Sequence, residues 1–153
     1  MVLEIKVKVG DAAPDFEGPT ISGSKLGLKD FVGKKNVVLY FYPKDDTPGC
    51  TREACSFRDN IQSIRDTGAE IVGVSLDSIQ SHDKFTAKYS LPFPLISDKD
   101  KRIATAYGVL RETGVSTNRV TFIIDKNGKI AKIFPKVDVG VHTTEVIAAL
   151  KAL

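Results

Sequence analysis

The feature that most constrains this chain is a strand-like run followed at once by a helix-like one. Residues Val37 to Tyr42 (VVLYFY) are all apolar and end at Pro43. Such a run suits a strand buried on both faces of a parallel sheet. A turn-rich stretch follows, Lys44-Asp45-Asp46-Thr47-Pro48-Gly49. Then Cys50, Ala54, Phe57, Ile61 and Ile64 recur in steps of four, three, four and three, the spacing of one helix face. Arg52, Asp59, Gln62 and Asp66 fall on the opposite face, and Gly68 is placed to stop the helix. Glu70 to Leu76 (EIVGVSL) reads as a second buried strand. Strand, helix, strand predicts a parallel, right-handed crossover, and so an α/β protein.

Further along, Ile79 to Tyr89 reads as a helix broken by Leu91-Pro92-Phe93-Pro94. Lys99 to Tyr107 predicts a short helix ending at Gly108. Arg119 to Asp125 and Lys129 to Phe134 flank Lys126-Asn127-Gly128. Asn-Gly predicts a hairpin with both turn residues at positive φ. Thr143 to Leu150 reads as a short amphipathic helix, and Asp15 to Leu28 as a region of small strands. The sum is a parallel core sheet extended by an antiparallel hairpin.

A length of 153 residues, 42% apolar and 27% charged, supports one domain, 1–153, with its own core. The excess of 22 basic over 19 acidic groups comes with no basic cluster, so nucleic acid is not expected as a partner. No run approaches the roughly 20 apolar residues of a membrane span. The opening MVLEIKVKVG carries Glu4, Lys6 and Lys8, which leaves no apolar core for a secretory leader. A cytoplasmic protein is expected, and lasting structural disulfides are rare there. The two cysteines, Cys50 and Cys55, are therefore of interest for chemistry rather than for stapling.

Thr47 is a favoured N-cap and Pro48 a favoured first helical residue, which places Cys50 in the first turn. Unpaired N–H groups and the positive end of the helix dipole lie there. Both favour an anion, so a stabilised thiolate is predicted at Cys50. The position also follows the C-terminal end of a buried strand, where α/β sheets place their ligands. From position alone Cys50 is equally the first residue of the apolar stripe, an inert buried thiol. Cys55, five residues on, lies about 500° around the helix and about 7.5 Å along it. Bridged cysteines need Cα atoms within about 7 Å, so an intact helix forbids a Cys50–Cys55 bridge and at least one turn must unwind for it. Thr51, Arg52, Arg58 and Asp59 surround Cys55. It is thus either a thiol reachable from solvent or a tolerated surface residue.

The spacing lacks the Cys-x-x-Cys of dithiol exchange proteins. Zinc wants about four ligands, and Cys50, Cys55, His82 and His142 are the whole supply of Cys and His, without clustering. The two histidines read as surface or helix-start residues. Gly23, Gly27 and Gly33 have no Lys-Ser/Thr continuation, so no phosphate loop is present. No metal or cofactor is expected.

Pro43-x-x-x-Thr47-x-x-Cys50 resembles the active-site signature of the peroxiredoxins. The stretch from Phe41 to Asp59, FYPKDDTPGCTREACSFRD, is similar to the bacterioferritin-comigratory-protein or Q subfamily. Asn118 to Ile130 (NRVTFIIDKNGKI) and Val9 to Phe16 (VGDAAPDF) resemble two further blocks of the family, in the expected order. Two departures are visible: Gly140-Val141-His142 stands where relatives often have Pro-Gly-His, and tryptophan is absent.

The resemblance implies a thioredoxin-like fold: a central mixed β-sheet flanked by helices, with an N-terminal β-hairpin extension. It implies a thiol peroxidase acting on hydrogen peroxide and organic hydroperoxides. Carried onto this chain, Cys50 is the peroxidatic cysteine and Cys55 the resolving one, joined in an intramolecular disulfide. Thr47 orients the peroxide and contacts the sulfur, Pro43 shields the pocket from water, and Arg119 is the cationic partner. Thr47 cannot give one lone pair to both the cap and the sulfur, and the sulfur is expected to win. The implied partners are a hydroperoxide and thioredoxin or a glutaredoxin-like dithiol, with no membrane, and the implied state is a monomer or a weak homodimer. Without the resemblance, Arg119 is a solvated strand-end residue, and Arg52, Arg58 and Arg111 are equal candidates. A thiol–disulfide oxidoreductase and a non-enzymatic interaction domain are the competing readings of the same fold.

Overall fold

The computed structural model describes residues 5–153; residues 1–4, and with them Glu4 of the opening segment, lie outside the described residues. A small antiparallel hairpin comes first, β1 (Glu17–Pro19) with β2 (Lys25–Gly27). The central sheet contains β3 (Asn36–Phe41), β4 (Ala69–Ser75), β5 (Leu95–Ser97), β6 (Val120–Ile124) and β7 (Ile130–Phe134), in the order β5-β4-β3-β6-β7. β4 is parallel to both β3 and β5. β6 is antiparallel to both β3 and β7. This is the parallel core with an antiparallel hairpin that the sequence predicts. β5 is an addition: Leu95-Ile96-Ser97 is too short to show a period, and it follows the prolines that end the preceding helix.

The unbroken apolar run of β3 has a direct cause, since both faces of the sheet are covered. Val37, Leu39 and Phe41 join a core with Phe16, Leu28 and Tyr107. Val38, Tyr40 and Tyr42 join a second core on the other face, which also holds Cys50, Phe57, Phe85 and Val146. That second face is covered by α1 (Pro48–Asp59), α2 (Ile61–Asp66), α3 (Ile79–Tyr89) and α5 (His142–Lys151), and the first face by α4 (Arg102–Tyr107) among others.

Two local predictions are corrected. The helical stripe expected to run from Cys50 through Ile64 is two helices, because Asn60 breaks it at φ −116°, ψ 14°. Its side-chain Nδ2 donates to the Ser56 carbonyl at 2.8 Å, while its own N–H turns to Phe57 at 3.2 Å. The side chain thus takes the acceptor that Asn60's own N–H would use in a continued helix. The Asn127-Gly128 turn is also different, since only Gly128 has positive φ, at 78°. The Asp125 carboxylate accepts from the N–H groups of Asn127 (2.9 Å) and Lys129 (3.0 Å). This draws the loop into a three-residue hairpin with a left-handed glycine rather than a two-residue turn.

Candidate active site

β3 delivers the chain to the segment 42–47 at the C-terminal end of the parallel strands. The end of β3 is pinned there: the Tyr42 N–H donates to Val74 O (3.2 Å) and the Thr117 hydroxyl donates to Tyr42 O (3.0 Å). Thr47 then takes the N-cap backbone conformation (φ −98°, ψ 156°), Pro48 is the first helical residue, and Cys50 lies in the first turn of α1. The Thr47 side chain does not cap the helix. Its hydroxyl donates to Lys44 O at 2.9 Å, so the expected contest between cap and sulfur is settled in the resting structure by a third partner. With no side-chain cap and no acidic residue in the first turn, the N-terminal N–H groups of α1 keep their affinity for an anion.

Cys50 is 1% exposed. The Arg119 guanidinium reaches it from the start of β6: Nη2 donates to Cys50 Sγ at 3.3 Å, and Nη1 donates to Glu53 Oε1 at 2.8 Å. Gly49 makes room for this approach, because a Cβ there would lie 3.0 Å from Nη2. Burial works against the charge of Arg119, and Glu53 with Cys50 more than offsets it, so its pKa is raised. Glu53 is 2% exposed, and burial pushes its carboxyl up to about 7 against the pull of Arg119. Among the described residues its Oε2 has no partner, and neither has the buried hydroxyl of Tyr40. Burial, followed by the nearby Glu53 and Cys50, raises the Tyr40 phenol well above its usual value.

The structure therefore brings together Cys50 and Arg119 and adds Glu53, which sequence reasoning missed. A signal for Glu53 existed: residues 50, 53, 54 and 57 form one buried helix face, and a carboxylate inside an apolar stripe needs a buried cation. The competing arginines are placed elsewhere. Arg52 is exposed and lies beside Gly140, and Arg58 donates to Asp59 and to Tyr89 O. Pro43 is half-buried at the start of the loop. Cys55 is half-buried in the same helix as Cys50, and both are free thiols.

Both histidines are buried, which corrects the expectation of surface residues; His142 does start a helix. His142 packs edge-on against Phe57 and Phe134, and its Nε2 shares a hydrogen bond with Thr121 Oγ1 at 2.7 Å. Burial, aided by the charge of Arg119, lowers its pKa to about 4. His82 lies against the segment 42–47: Nδ1 is 2.7 Å from Asp45 Oδ2 and Nε2 is 3.1 Å from Ile96 O. Asp45, Asp77 and His82 are a grouping of metal-ligand type, with ligand atoms within 4.8 Å of one another. Those of Asp45 and His82 and Oδ2 of Asp77 are already engaged by protein hydrogen bonds, which does not favour an ion there.

A family model described as AhpC/TSA matches residues 9–133. Peroxiredoxin Bcp of Bacillus subtilis is 42% identical over 151 residues, covering 95% of this chain and 96% of that protein. Among solved structures, peroxidoxin BcpB of Mycobacterium tuberculosis superposes with a TM-score of 0.89 at 35% identity, over 95% of this chain and 97% of the other. Peroxiredoxin Q of Xanthomonas campestris gives 0.86 at 36% identity, over 97% of each chain. The mixed sheet with its N-terminal hairpin is thus the thioredoxin-like fold of these neighbours. By sequence and by fold, the chain belongs to the AhpC/TSA family and, within it, to the peroxiredoxins of the Bcp and Q type.

Proposed function

We propose that this chain is a thiol-dependent peroxidase that reduces hydrogen peroxide and organic hydroperoxides at Cys50, with Cys55 resolving the oxidised sulfur in the same chain. The observation that carries the reading is the guanidinium of Arg119 at 3.3 Å from Cys50 Sγ, itself held by buried Glu53. A guanidinium stays protonated and offers rigid N–H donors, and together with the uncapped start of α1 it favours the thiolate.

The thiolate attacks one peroxide oxygen. An S–O bond forms, the O–O bond breaks, and the second oxygen leaves as water or an alcohol after taking a proton. Sulfur loses two electrons and the peroxide gains them. Negative charge grows on the departing oxygen, and fixed donors aimed at that position lower the barrier. In this role Arg119 serves both sulfur and peroxide, the Thr47 hydroxyl turns from Lys44 to the peroxide, and Pro43 keeps water out. The sulfenic acid of Cys50 then condenses with the Cys55 thiol, giving a disulfide and water. An external dithiol, thioredoxin or a glutaredoxin-like protein, restores both thiols by exchange.

The two cysteines lie on one unbroken helix, Pro48–Asp59, so resolution requires α1 to unwind. The first turn is the weak end: no side chain caps it. The proposal extends to a single domain that acts as a cytoplasmic monomer or weak homodimer, without nucleic acid or membrane as partner.

The test is peroxide consumption by wild type and Cys50→Ser with a thioredoxin system. Cys50→Ser is expected to lose essentially all turnover. Wild-type-like activity in that variant refutes the assignment. Mass spectrometry of the oxidised protein is expected to show a Cys50–Cys55 link, and Cys55→Ser is expected to stop at the sulfenic acid. A wild type oxidised without that link removes Cys55 from the mechanism.

A further inference from the structure

Among the buried polar groups that the mechanism above leaves unused is a cluster around Asp45. Asp45 sits between Pro43 and Thr47, in the segment that presents Cys50, and its carboxylate is buried. Three elements converge on it. Tyr42 OH, at the end of β3, donates to Oδ1 at 2.6 Å. From α3, Ser81 Oγ donates to Oδ2 at 2.8 Å and His82 Nδ1 meets Oδ2 at 2.7 Å. From the loop after β4, Asp77 Oδ2 accepts from the Asp45 N–H at 2.9 Å.

The ring of His82 is 0% exposed. The Ile96 carbonyl facing Nε2 accepts only, so Nε2 carries a proton. Nδ1 faces a carboxylate oxygen that already accepts from Ser81. Two acceptors, one on each nitrogen, fix the ring between β5 and the loop and leave it no second orientation.

We propose that His82 is a positioning residue for the peroxide reaction: through Asp45 it holds residues 43–47 in the conformation from which α1 starts and Cys50 meets Arg119. The inference rests on the reading that Cys50 reacts with peroxide. The loop between the end of β3 and Pro48 carries no regular hydrogen-bond ladder, and Asp46 within it has a positive φ of 54°. Its geometry therefore depends on side-chain anchors. Outside Asp45, the anchors from Asp46 to Lys88 and Tyr89 are exposed; such pairs hold weakly in water. The firm contacts are those at Asp45, from Tyr42, Ser81, Asp77 and His82, and His82 ties them on to β5 through Ile96 O; small displacements of reacting groups are costly in rate.

The experiment compares two reactions of the same sulfur in the full-length reduced protein, well below its melting temperature. One is stopped-flow oxidation by hydrogen peroxide, which needs Cys50, Thr47 and Arg119 in register. The other is alkylation by iodoacetamide, which needs only an accessible thiolate; Cys55→Ser serves as the background so that one thiol is read. His82→Gln and Asp45→Ala are expected to slow peroxide oxidation at least tenfold while changing alkylation less than about threefold. Asp45→Asn keeps the shape, and its amide, which offers both a donor and an acceptor, keeps the contact with Nδ1. It is expected to stay within about threefold of the parent in both reactions. Wild-type peroxide rates in His82→Gln and Asp45→Ala overturn the proposal. So does an equal fall in both reactions, which reports exposure or unfolding rather than register. If His82→Gln does not fold, the contrast of Asp45→Ala with Asp45→Asn carries the same decision. If the parent protein itself does not react with peroxide at Cys50, the failure belongs to the functional reading and is seen before any variant is made.

Discussion

Two buried polar clusters hang from the same 15 or so residues, and they are built to opposite standards. Around Asp45 both carboxylate oxygens and both nitrogens of His82 have partners. Around Cys50 two groups are left over: among the described residues, Oε2 of Glu53 and the hydroxyl of Tyr40 are buried without a hydrogen bond. An unsatisfied buried polar group costs on the order of 1–3 kcal/mol. A fold tolerates that cost where the groups have another use, and it completes the bonds where rigidity is the use. On the readings proposed above, the satisfied cluster serves as the frame and the unsatisfied one as the reacting site.

Arg119→Ala should break this contrast most severely. It removes the donor on Cys50 Sγ and leaves Glu53 buried without a cation. Loss of one such donor costs about 100- to 1000-fold in rate, well beyond the tenfold expected for the Asp45 frame. Above about pH 7, where Glu53 is ionised, breaking the buried pair on one side also costs stability, up to about 3–5 kcal/mol. Adding Glu53→Gln to Arg119→Ala should recover much of that stability and none of the rate, as read by denaturant unfolding and stopped-flow oxidation.

A second effect lies in the pH dependence of stability, where Glu53 and His142 oppose each other. Burial holds Glu53 near 7, against its ordinary 4.5. The folded state therefore binds more protons between those values, and Glu53 makes stability fall as pH rises from about 4.5 to about 7. His142 is lowered from 6.5 to about 4. The folded state binds fewer protons there, so His142 makes stability rise with pH from about 4 to about 6.5. Each shift corresponds to about 3 kcal/mol, and in wild type the two slopes largely cancel across their shared range. Glu53→Gln should expose a stability that rises from pH 4.5 to 6.5, and His142→Asn one that falls. Urea midpoints measured across that range check both signs; parallel curves for wild type and Glu53→Gln would show that Glu53 titrates normally.

How much of this was legible depends on distance along the chain. Thr47, Pro48 and Cys50 obey local rules for starting a helix, so the thiol's place in the first turn could be read directly. Arg119 stands 69 residues from Cys50, and no local rule separates it from Arg52, Arg58 or Arg111; only the resemblance did. Glu53 is legible only from its place on the buried face of α1, as a carboxylate within an apolar stripe. His82 reads from sequence as a surface or helix-start residue, because a lone histidine on a helix carries no sign of which way it faces. Its neighbour Phe85, three residues on and also buried, marks the inward side. The break at Asn60 turns on a side chain competing with its own backbone, which apolar spacing does not register.

The smallest expected effect is also the most local. Gly49 lies in the first turn of α1, outside the left-handed region of φ, so alanine can adopt its backbone. Relative to glycine, alanine favours a helix by up to about 1 kcal/mol and narrows the unfolded ensemble. Its Cβ would sit 3.0 Å from Arg119 Nη2, tighter than ordinary contact, and Arg119 must yield by a few tenths of an ångström. That displacement falls on the atom 3.3 Å from Cys50 Sγ. Gly49→Ala is therefore expected to raise or hold the unfolding free energy while slowing peroxide oxidation about two- to fivefold, with Gly49→Val slower still. A stability gain with an unchanged rate would mean that the guanidinium has slack against the sulfur. The site around Cys50 would then be looser than the frame around Asp45 in geometry as well as in hydrogen bonding.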